Sequence, residues 1–323
     1  MIKVLVIGGA GFIGSHMVKM LGLYDCKVTT LDDLSSGHAD ALLYGDFIHG
    51  DFSDIALLNN TLSQGFDIVL HFASFIQVGE SVVRPDIYYQ NNFVNTLILL
   101  NAMRAHGIDK FIFSSTAATF GEPIYTPIDE KHPQLPINPY GRTKLMVEQL
   151  LADYDAAYGV KSVCLRYFNA AGADPEGQLG ERHDPETHLI PLVLQAASGK
   201  RSQISIFGQD YDTPDGTCIR DYVHVQDLCA AHWLALQSLI NGAQSQNYNL
   251  GNGGGFSVQQ VIQTAEKITG NVIPVVLAPR RSGDPARLVA DSKLVRERLG
   301  WEPMFSDLST IIEHAWKWEI KSN

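Results

Sequence analysis

Cysteine is scarce in this chain and scattered: Cys26, Cys164, Cys218 and Cys229 are the only thiols, and no two form a C-x-x-C pair. That spacing argues against a disulfide framework or a thiolate zinc site and suits reduced thiols in cytoplasm, with core filling as their default role. No metal is expected. Positive charge is also short, with 24 Lys and Arg against 35 Asp and Glu and a formal net charge of −11. A general affinity for nucleic acid or an anionic membrane is therefore not expected, and any phosphate site has to be local. No apolar run approaches the roughly 20 residues of a membrane span. Low-complexity tracts, like-charge tails and internal repeats of fixed period are lacking too. Met1 runs straight into the strand-like Ile2–Ile7, so no export signal is expected.

What is present is a 323-residue chain, 45% hydrophobic and 18% charged, the composition of a soluble protein with one large domain and a smaller partner. Short apolar runs at Val4–Ile7, Val28–Leu31, Phe47–His49, Ile68–His71, Phe111–Ser114 and Ser162–Tyr167 read as buried parallel strands. Between them Phe12–Leu23, Ile55–Leu62, Ile87–Arg104 and Pro139–Tyr158 carry helical spacing. Repeated βαβ order predicts an α/β fold, a Rossmann-type doubly wound parallel sheet, joined to a smaller mixed α/β substrate domain. The texture changes after Ala170 to a loop-rich Gly172–Thr187, with isolated strands at Ile204–Phe207 and Val272–Leu277. Tyr222–Ile240 and Tyr248–Leu250 read as helix and strand returning to the first sheet. The expected domains are interleaved: 1–168 plus 221–252 for the dinucleotide, and 169–220 plus 253–323 for the substrate.

Gly8-Gly9-Ala10-Gly11-Phe12-Ile13-Gly14 follows the first strand and opens a helix. Glycines at 8, 11 and 14 permit a tight turn, a close approach of backbone to pyrophosphate and close helix–strand packing, while the helix N-terminus offers free N–H groups to the anion. Asp32 ends the second strand, at the distance expected of the acid that binds the adenosine ribose. Its carboxylate would repel a 2′-phosphate, and Asp33 and Ser35-Ser36 add no arginine, so NAD is favoured over NADP. Asp51, after the third strand, is placed to meet the adenine.

Tyr140 and Lys144 stand at i and i+4 near the start of a helix, hence on one face. A phenol is a weak base at neutral pH, and a nearby ammonium favours the phenolate that proton abstraction needs. Thr116 closes Ser114-Ser115-Thr116 at a strand's carboxyl edge, where open α/β sheets carry their sites. Its hydroxyl can hydrogen-bond the substrate oxygen that Tyr140 deprotonates.

With Gly8–Gly14, Thr116, Tyr140 and Lys144 the chain resembles the extended short-chain dehydrogenase/reductase superfamily, and more narrowly the UDP-glucose (UDP-galactose) 4-epimerase family. The resemblance runs nearly end to end. It includes His71-Phe72-Ala73, Tyr88-Tyr89-Gln90-Asn91-Asn92, Arg166-Tyr167-Phe168-Asn169, Arg220–Val225, Tyr248–Gly251 and Pro279-Arg280-Arg281-Ser282-Gly283-Asp284. It implies that Phe12, Ile13, Asp33, Phe52, Phe72, Ala73, Asn91 and Phe168 join the glycines, Asp32, Asp51, Thr116, Tyr140 and Lys144 around NAD. On the substrate side it implies Asn169 at the diphosphate or sugar, Arg220 and Arg281 clamping the diphosphate, Asp284 on the uridine ribose and Phe207 near the uracil. His188, Leu189 and Leu288 complete that set. The implied reaction is epimerisation at C4 of a UDP-hexose: Tyr140 takes the C4 proton, hydride passes to NAD, and the 4-keto sugar turns over before hydride returns. The resemblance also implies a homodimer.

Three positions depart from the family pattern. Ile76 stands where a lysine near the pyrophosphate is frequent, His188 where asparagine is common, and Leu288 where some relatives have tyrosine. The smaller Leu288 leaves UDP-N-acetylhexosamine as an alternative substrate, and UDP-pentose is another. A sensor or scaffold that binds NAD without chemistry is the reading from a different class. Ala117 and Ala118 replace the acids with which related dehydratases drive elimination.

Overall fold

Alternation along the first strand, β1 (Lys3–Ile7), sets the architecture: Val4 and Val6 enter one core while Leu5 and Ile7 enter another on the opposite face. The structure, a computed structural model, describes residues 1–281 and 284–321. β2 (Lys27–Asp32), β3 (Asp46–His49), β4 (Ile68–His71), β5 (Lys110–Thr116), β6 (Lys161–Tyr167) and β7 (Gln246–Leu250) join β1 in one sheet. The order is β7-β6-β5-β4-β1-β2-β3, every pairing parallel. The predicted doubly wound sheet is therefore present.

Helices cover both faces. α1 (Phe12–Leu23) and α6 (Val225–Ile240) pack on the Val4/Val6 side, through Met17, Val18 and Leu21 against Leu228, Cys229 and Leu236. On the other side lie α2 (Ile55–Leu62), α3 (Asn95–Ala105) and α4 (Pro139–Tyr158), with Leu58, Leu99, Met103, Val147 and Leu151 against Leu5, Val69 and Phe113. Side chains start two of these helices. The Asp54 carboxylate accepts from Ala56 and Leu57 N–H at 2.9 and 3.1 Å, and Asn138 Oδ1 accepts from Gly141 N–H at 2.8 Å. Pro139 sits in the first turn of α4, and Gly159 ends it at φ 74°, a left-handed cap that a Cβ would strain.

Two predicted elements differ. Ile87–Arg104 is not one helix: Pro85–Tyr88 leads into a wide π-type turn, Tyr89–Val94, before α3 begins. The extra residue in that turn brings Asn92 inward, where its amide bonds both Phe75 N–H (2.9 Å) and Phe75 C=O (3.0 Å) and reaches Thr143 Oγ1 on α4 (3.3 Å). Tyr222–Ile240 opens as a strand, Tyr222–His224, paired in parallel with Asn169–Ala171, and turns helical only at Val225.

The remaining elements build a third core. Ile204–Phe207 and Val275–Ala278 pair with each other in parallel, so the two strands read as isolated are neighbours. Ile219–Arg220 runs between Phe256–Ser257 and Arg287–Leu288. α5 (Leu189–Ala197), α7 (Val258–Thr269) and α8 (Leu308–Lys321) close around Ile190, Val193, Ile206, Ile262 and Ile311. All four cysteines are free thiols. Among the described residues no helix is long and apolar enough to cross a membrane.

Candidate active site

The sheet order reverses between β1 and β4, and open α/β sheets bind ligands beyond the strand ends at such a point. Here the Gly8 turn meets the chain leaving β4. Phe72 and Ala73 N–H both donate to Ile7 C=O, at 2.8 and 3.2 Å. Gly8 has φ +79°, and a Cβ on it would stand 2.4 Å from Ala73 N; one on Gly14 would stand 2.2 Å from Gly8 O. Only glycine fits either place, and the bare turn at the head of α1 is what a pyrophosphate requires. Gly11 is open, with 3.6 Å to Gly8 O, so its side is free for an approaching ligand.

Asp32 ends β2 buried, its two oxygens accepting from Ala10 N–H and Leu34 N–H at 2.8 Å each. Burial raises its pKa, and those two N–H groups oppose the rise. Each oxygen keeps a further lone pair for a ribose hydroxyl. Asp33 holds Ser35 through N–H and hydroxyl, 2.9 and 2.7 Å, and Asp51 accepts from Ser53 N–H at 2.7 Å. Phe12 and Ile13 open α1. Phe52 is buried edge-on to His71, and Phe72 lies over His232 at 4.9 Å. Asn91, in the π-type turn, donates to Asn92 Oδ1 at 3.0 Å. These residues fit NAD as the cofactor: an uncluttered turn for the diphosphate, a carboxylate at the ribose position and no arginine beside it.

Tyr140, Lys144 and Thr116 come together at the end of β5. All three are buried, and Lys144 Nζ lies 5.9 Å from the centre of the Tyr140 ring. Lys144 donates to Ser114 C=O and to Ser74 Oγ, 2.8 Å each. Ser74 directly follows His71-Phe72-Ala73, and no pattern in the sequence marks it as a partner of Lys144. The electrostatics correct the expectation that the ammonium makes the phenol acidic. Burial raises the Tyr140 pKa, and hydrogen bonding with Thr116 is what works against the rise. Burial also lowers Lys144 to about 7, with Glu148 opposing. Both groups thus lean towards neutrality in the protein alone. Nearby, Ser114 Oγ is in short contact with Tyr167 OH. His71 is a core histidine, held by Thr96 Oγ1 at 2.9 Å and driven down to about 3 by burial and then by Lys144.

A second concavity of about 320 Å³ gathers Asn169, His188, Leu189, Phe207, Arg220, Arg281 and Asp284. Seven of the residues expected on the substrate thus line one space, although the chain separates them widely. Arg220 is in a short ion pair with Asp284 and donates to Ile219 C=O at 2.8 Å. The Arg281 guanidinium lies over the Phe207 ring at 3.8 Å. Asn169 Nδ2 donates to Asp221 C=O at 2.9 Å, which leaves its Oδ1 available. Arg201, Cys218 and Tyr222 also line the cavity; no motif surrounds Arg201 in the sequence to announce it. Ser282 and Gly283, within the Pro279–Asp284 motif, lie outside the described residues. Leu288 and Phe168 are in neither group. They pack on Ala117, Phe120 and Ile128, directly beyond Thr116.

A glycine-lined dinucleotide turn, a buried Tyr/Lys/Thr trio and a separate arginine-bearing pocket define a short-chain-dehydrogenase-type enzyme acting on an anionic substrate. Comparison with known proteins narrows this. Residues 4–251 match the NAD dependent epimerase/dehydratase family. The chain is 53% identical over 316 residues to the UDP-glucose 4-epimerase of Halalkalibacterium halodurans, spanning 98% of this chain and 95% of that protein. It superposes on a crystal structure of a UDP-glucose 4-epimerase with TM-score 0.97, at 50% identity and 99% and 98% coverage. On the Brucella ovis UDP-glucose 4-epimerase in complex with NAD, the TM-score is 0.96, at 49% identity and 98% coverage of both chains. The chain belongs to the NAD dependent epimerase/dehydratase family, and within it to the UDP-glucose 4-epimerases.

Proposed function

We propose that this protein interconverts UDP-glucose and UDP-galactose by inverting C4. The observation that carries the reading is the buried Tyr140–Thr116 pair at the end of β5, with Lys144 anchored beside it. In this reading Thr116 holds the C4 oxygen and Tyr140 takes its proton, then gives it back to the opposite configuration. Lys144, tied to Ser74 and Ser114, fixes the nicotinamide ribose. NAD, when bound, supplies acceptance and return of a hydride at C4. Gly8, Gly11, Phe12, Ile13, Gly14, Asp32, Asp33, Asp51, Phe52, Phe72, Ala73, Asn91 and Phe168 are its further contacts.

Arg220 and Arg281 grip the diphosphate through guanidinium–oxygen pairs. Binding releases Arg220 from Asp284, whose carboxylate then meets the uridine ribose, and Phe207 exchanges the Arg281 cation for the uracil ring. Asn169, His188, Leu189 and Leu288 contact the rest of the substrate. Charged groups hold one end only, so the 4-keto sugar is free to rotate while the nucleotide stays fixed. The dinucleotide unit comprises 1–168 plus 221–252 and the substrate unit 169–220 plus 253–323, a division supported by the pairing of β7 with β6. Half-buried Leu97, Ile98 and Leu150 on α3 and α4 support a homodimer through those helices, which light scattering tests. The free thiols suit the cytoplasm.

The deciding experiment offers the purified protein UDP-galactose, UDP-GalNAc and UDP-arabinose separately with NAD and identifies the sugars formed. UDP-glucose from UDP-galactose with no net NADH is expected. Stoichiometric NADH release, or no turnover with NAD bound, overturns the reading.

A further inference from the structure

Outside the reaction centre, two imidazoles and two carboxylates converge in the loop before α5. We propose that Glu181, His183, Glu186 and His188 form a site for a single divalent transition-metal ion, zinc being the best match. The site shares His188 with the substrate cavity but does not rest on the sugar chemistry proposed above.

The geometry is that of a coordination shell. One ligand atom from each residue lies within 4.8 Å of all the others. Glu181 Oε1 stands 3.0 Å from His183 Nδ1 and 2.6 Å from His188 Nδ1, while Glu186 oxygens stand 3.7 and 3.3 Å from the same nitrogens. Nitrogen and oxygen ligands bind zinc at about 2.0–2.2 Å, which puts neighbouring ligand atoms of a tetrahedron roughly 3.3–3.6 Å apart. The observed separations bracket that range.

A hydrogen-bonded cluster is the competing explanation, and the alignment of the atoms speaks against it. Despite their closeness, His183 Nδ1, His188 Nδ1 and Glu181 Oε1 have no hydrogen-bond partner. Buried polar atoms normally find one. Atoms that crowd together without pointing at one another are what a shared cation between them produces. Burial strengthens the case: the side chains of Glu181 and Glu186 are only 6% and 5% exposed, and two buried carboxylates need a compensating charge of two. Without metal the imidazoles themselves supply it, since burial lowers the pKa of His183 and His188 but the two carboxylates outweigh it and hold both protonated; a divalent ion takes over that charge when it displaces the two protons.

The surroundings hold the ligands in place. Glu186 Oε1 accepts from Thr187 and His188 N–H at 2.7 and 2.8 Å, and the Glu181 carbonyl accepts from the Trp318 indole at 3.2 Å. Such outer contacts orient ligands for a metal. Two imidazoles favour zinc, cobalt or manganese over calcium or magnesium, which prefer all-oxygen sites. Four protein ligands make a closed, structural site. It would clamp a loop touching both functional regions, since the His183 ring lies edge-on to Phe12 of the dinucleotide turn at 6.5 Å and His188 lines the substrate cavity.

The test uses the full-length protein, stripped with chelator and titrated with Zn2+ by calorimetry and with Co2+ by visible absorption. One equivalent per chain with sub-micromolar affinity, a rise in Tm with Zn2+ and the intense bands of tetrahedral cobalt are expected. His183→Ala and Glu181→Gln should each weaken binding at least about tenfold, the loss that removing even an outer partner of a metal ligand brings, while His106→Ala, whose ring meets Asn59 and none of these ligands, binds as the unmodified protein does. Absence of both Zn2+ binding and cobalt bands in the unmodified protein overturns the proposal. So does unchanged affinity in folded His183→Ala and Glu181→Gln. The cobalt spectrum of the unmodified protein decides the matter even if both variants fail to fold, and neither readout depends on epimerase activity.

Discussion

Glu148 on α4 and Arg166 on β6 meet as a two-pronged ion pair inside the protein, Nε to Oε1 at 2.9 Å and Nη2 to Oε2 at 2.6 Å, each side chain only 3% exposed. Ser115 Oγ donates to the same carboxylate at 2.5 Å and Gln134 at 3.0 Å. The pair thereby locks the helix that carries Tyr140 and Lys144 against the sheet, one turn beyond Lys144. Glu148→Ala leaves a buried guanidinium unpaired and should cost about 3–5 kcal/mol of unfolding free energy, whereas replacing both residues by methionine should cost less. Urea unfolding of the two variants checks the order.

Tyr140→Phe removes one oxygen from a buried ring and leaves the packing intact. Its Tm and NAD binding should stay close to those of the unmodified protein. Conversion of UDP-galactose should fall by about 10²–10⁴-fold, the usual worth of a positioned acid–base group. A coupled assay for UDP-glucose, read beside NAD calorimetry, tests both halves.

Lys144 gives stability a pH signature. Burial lowers its pKa to about 7 in the fold, with Glu148 opposing, against about 10.4 in an unfolded chain. Between those values the unfolded state binds the extra proton, so this group's contribution to unfolding free energy rises with pH and is least below about 7. Denaturant melts of cofactor-free protein at pH 7 and pH 9 should show the unmodified chain gaining on Lys144→Met at the higher pH. An equal gap at both pH values would contradict it.

Arg281 faces the cavity over Phe207. Arg281→Ala should raise KM for UDP-galactose at least tenfold, about 1.4 kcal/mol, with kcat within about threefold, because a diphosphate grip acts equally on ground and transition states. Steady-state kinetics across substrate concentration separates the two constants.

Much of this was legible in the sequence where the cause was local. The bounds of α1, α2 and α4 coincide with the predicted ranges because caps and glycines announce them: Asp54, the Asn138-Pro139 pair and Gly159 each act on neighbours a few residues away. The glycine turn was legible for the same reason. The π-type turn at Tyr89–Val94 was not, since hydrophobic spacing continues through it and the Asn92 amide bonds that favour it reach chain 17 and 51 residues distant. Tyr222–His224 looks helical in the sequence because three buried residues have no period of their own. The roles of Arg220 and Asp284 came only through resemblance, and their mutual pairing spans 64 residues. Glu-x-His-x-x-Glu-x-His at 181–188 contains no cysteine, and only the folded loop shows that its four side chains converge.

After β6 the chain leaves the main sheet and comes back only with β7, which then covers the outer side of β6 along Val163–Tyr167. During synthesis every earlier strand can therefore be seated while that flank still offers bare amides and carbonyls to any passing strand. A polypeptide stopped short of Gln246 would hold a nearly finished nucleotide fold with one sticky border, prone to join its own kind. Residues 246–250 take up those bare groups of β6 and close that border.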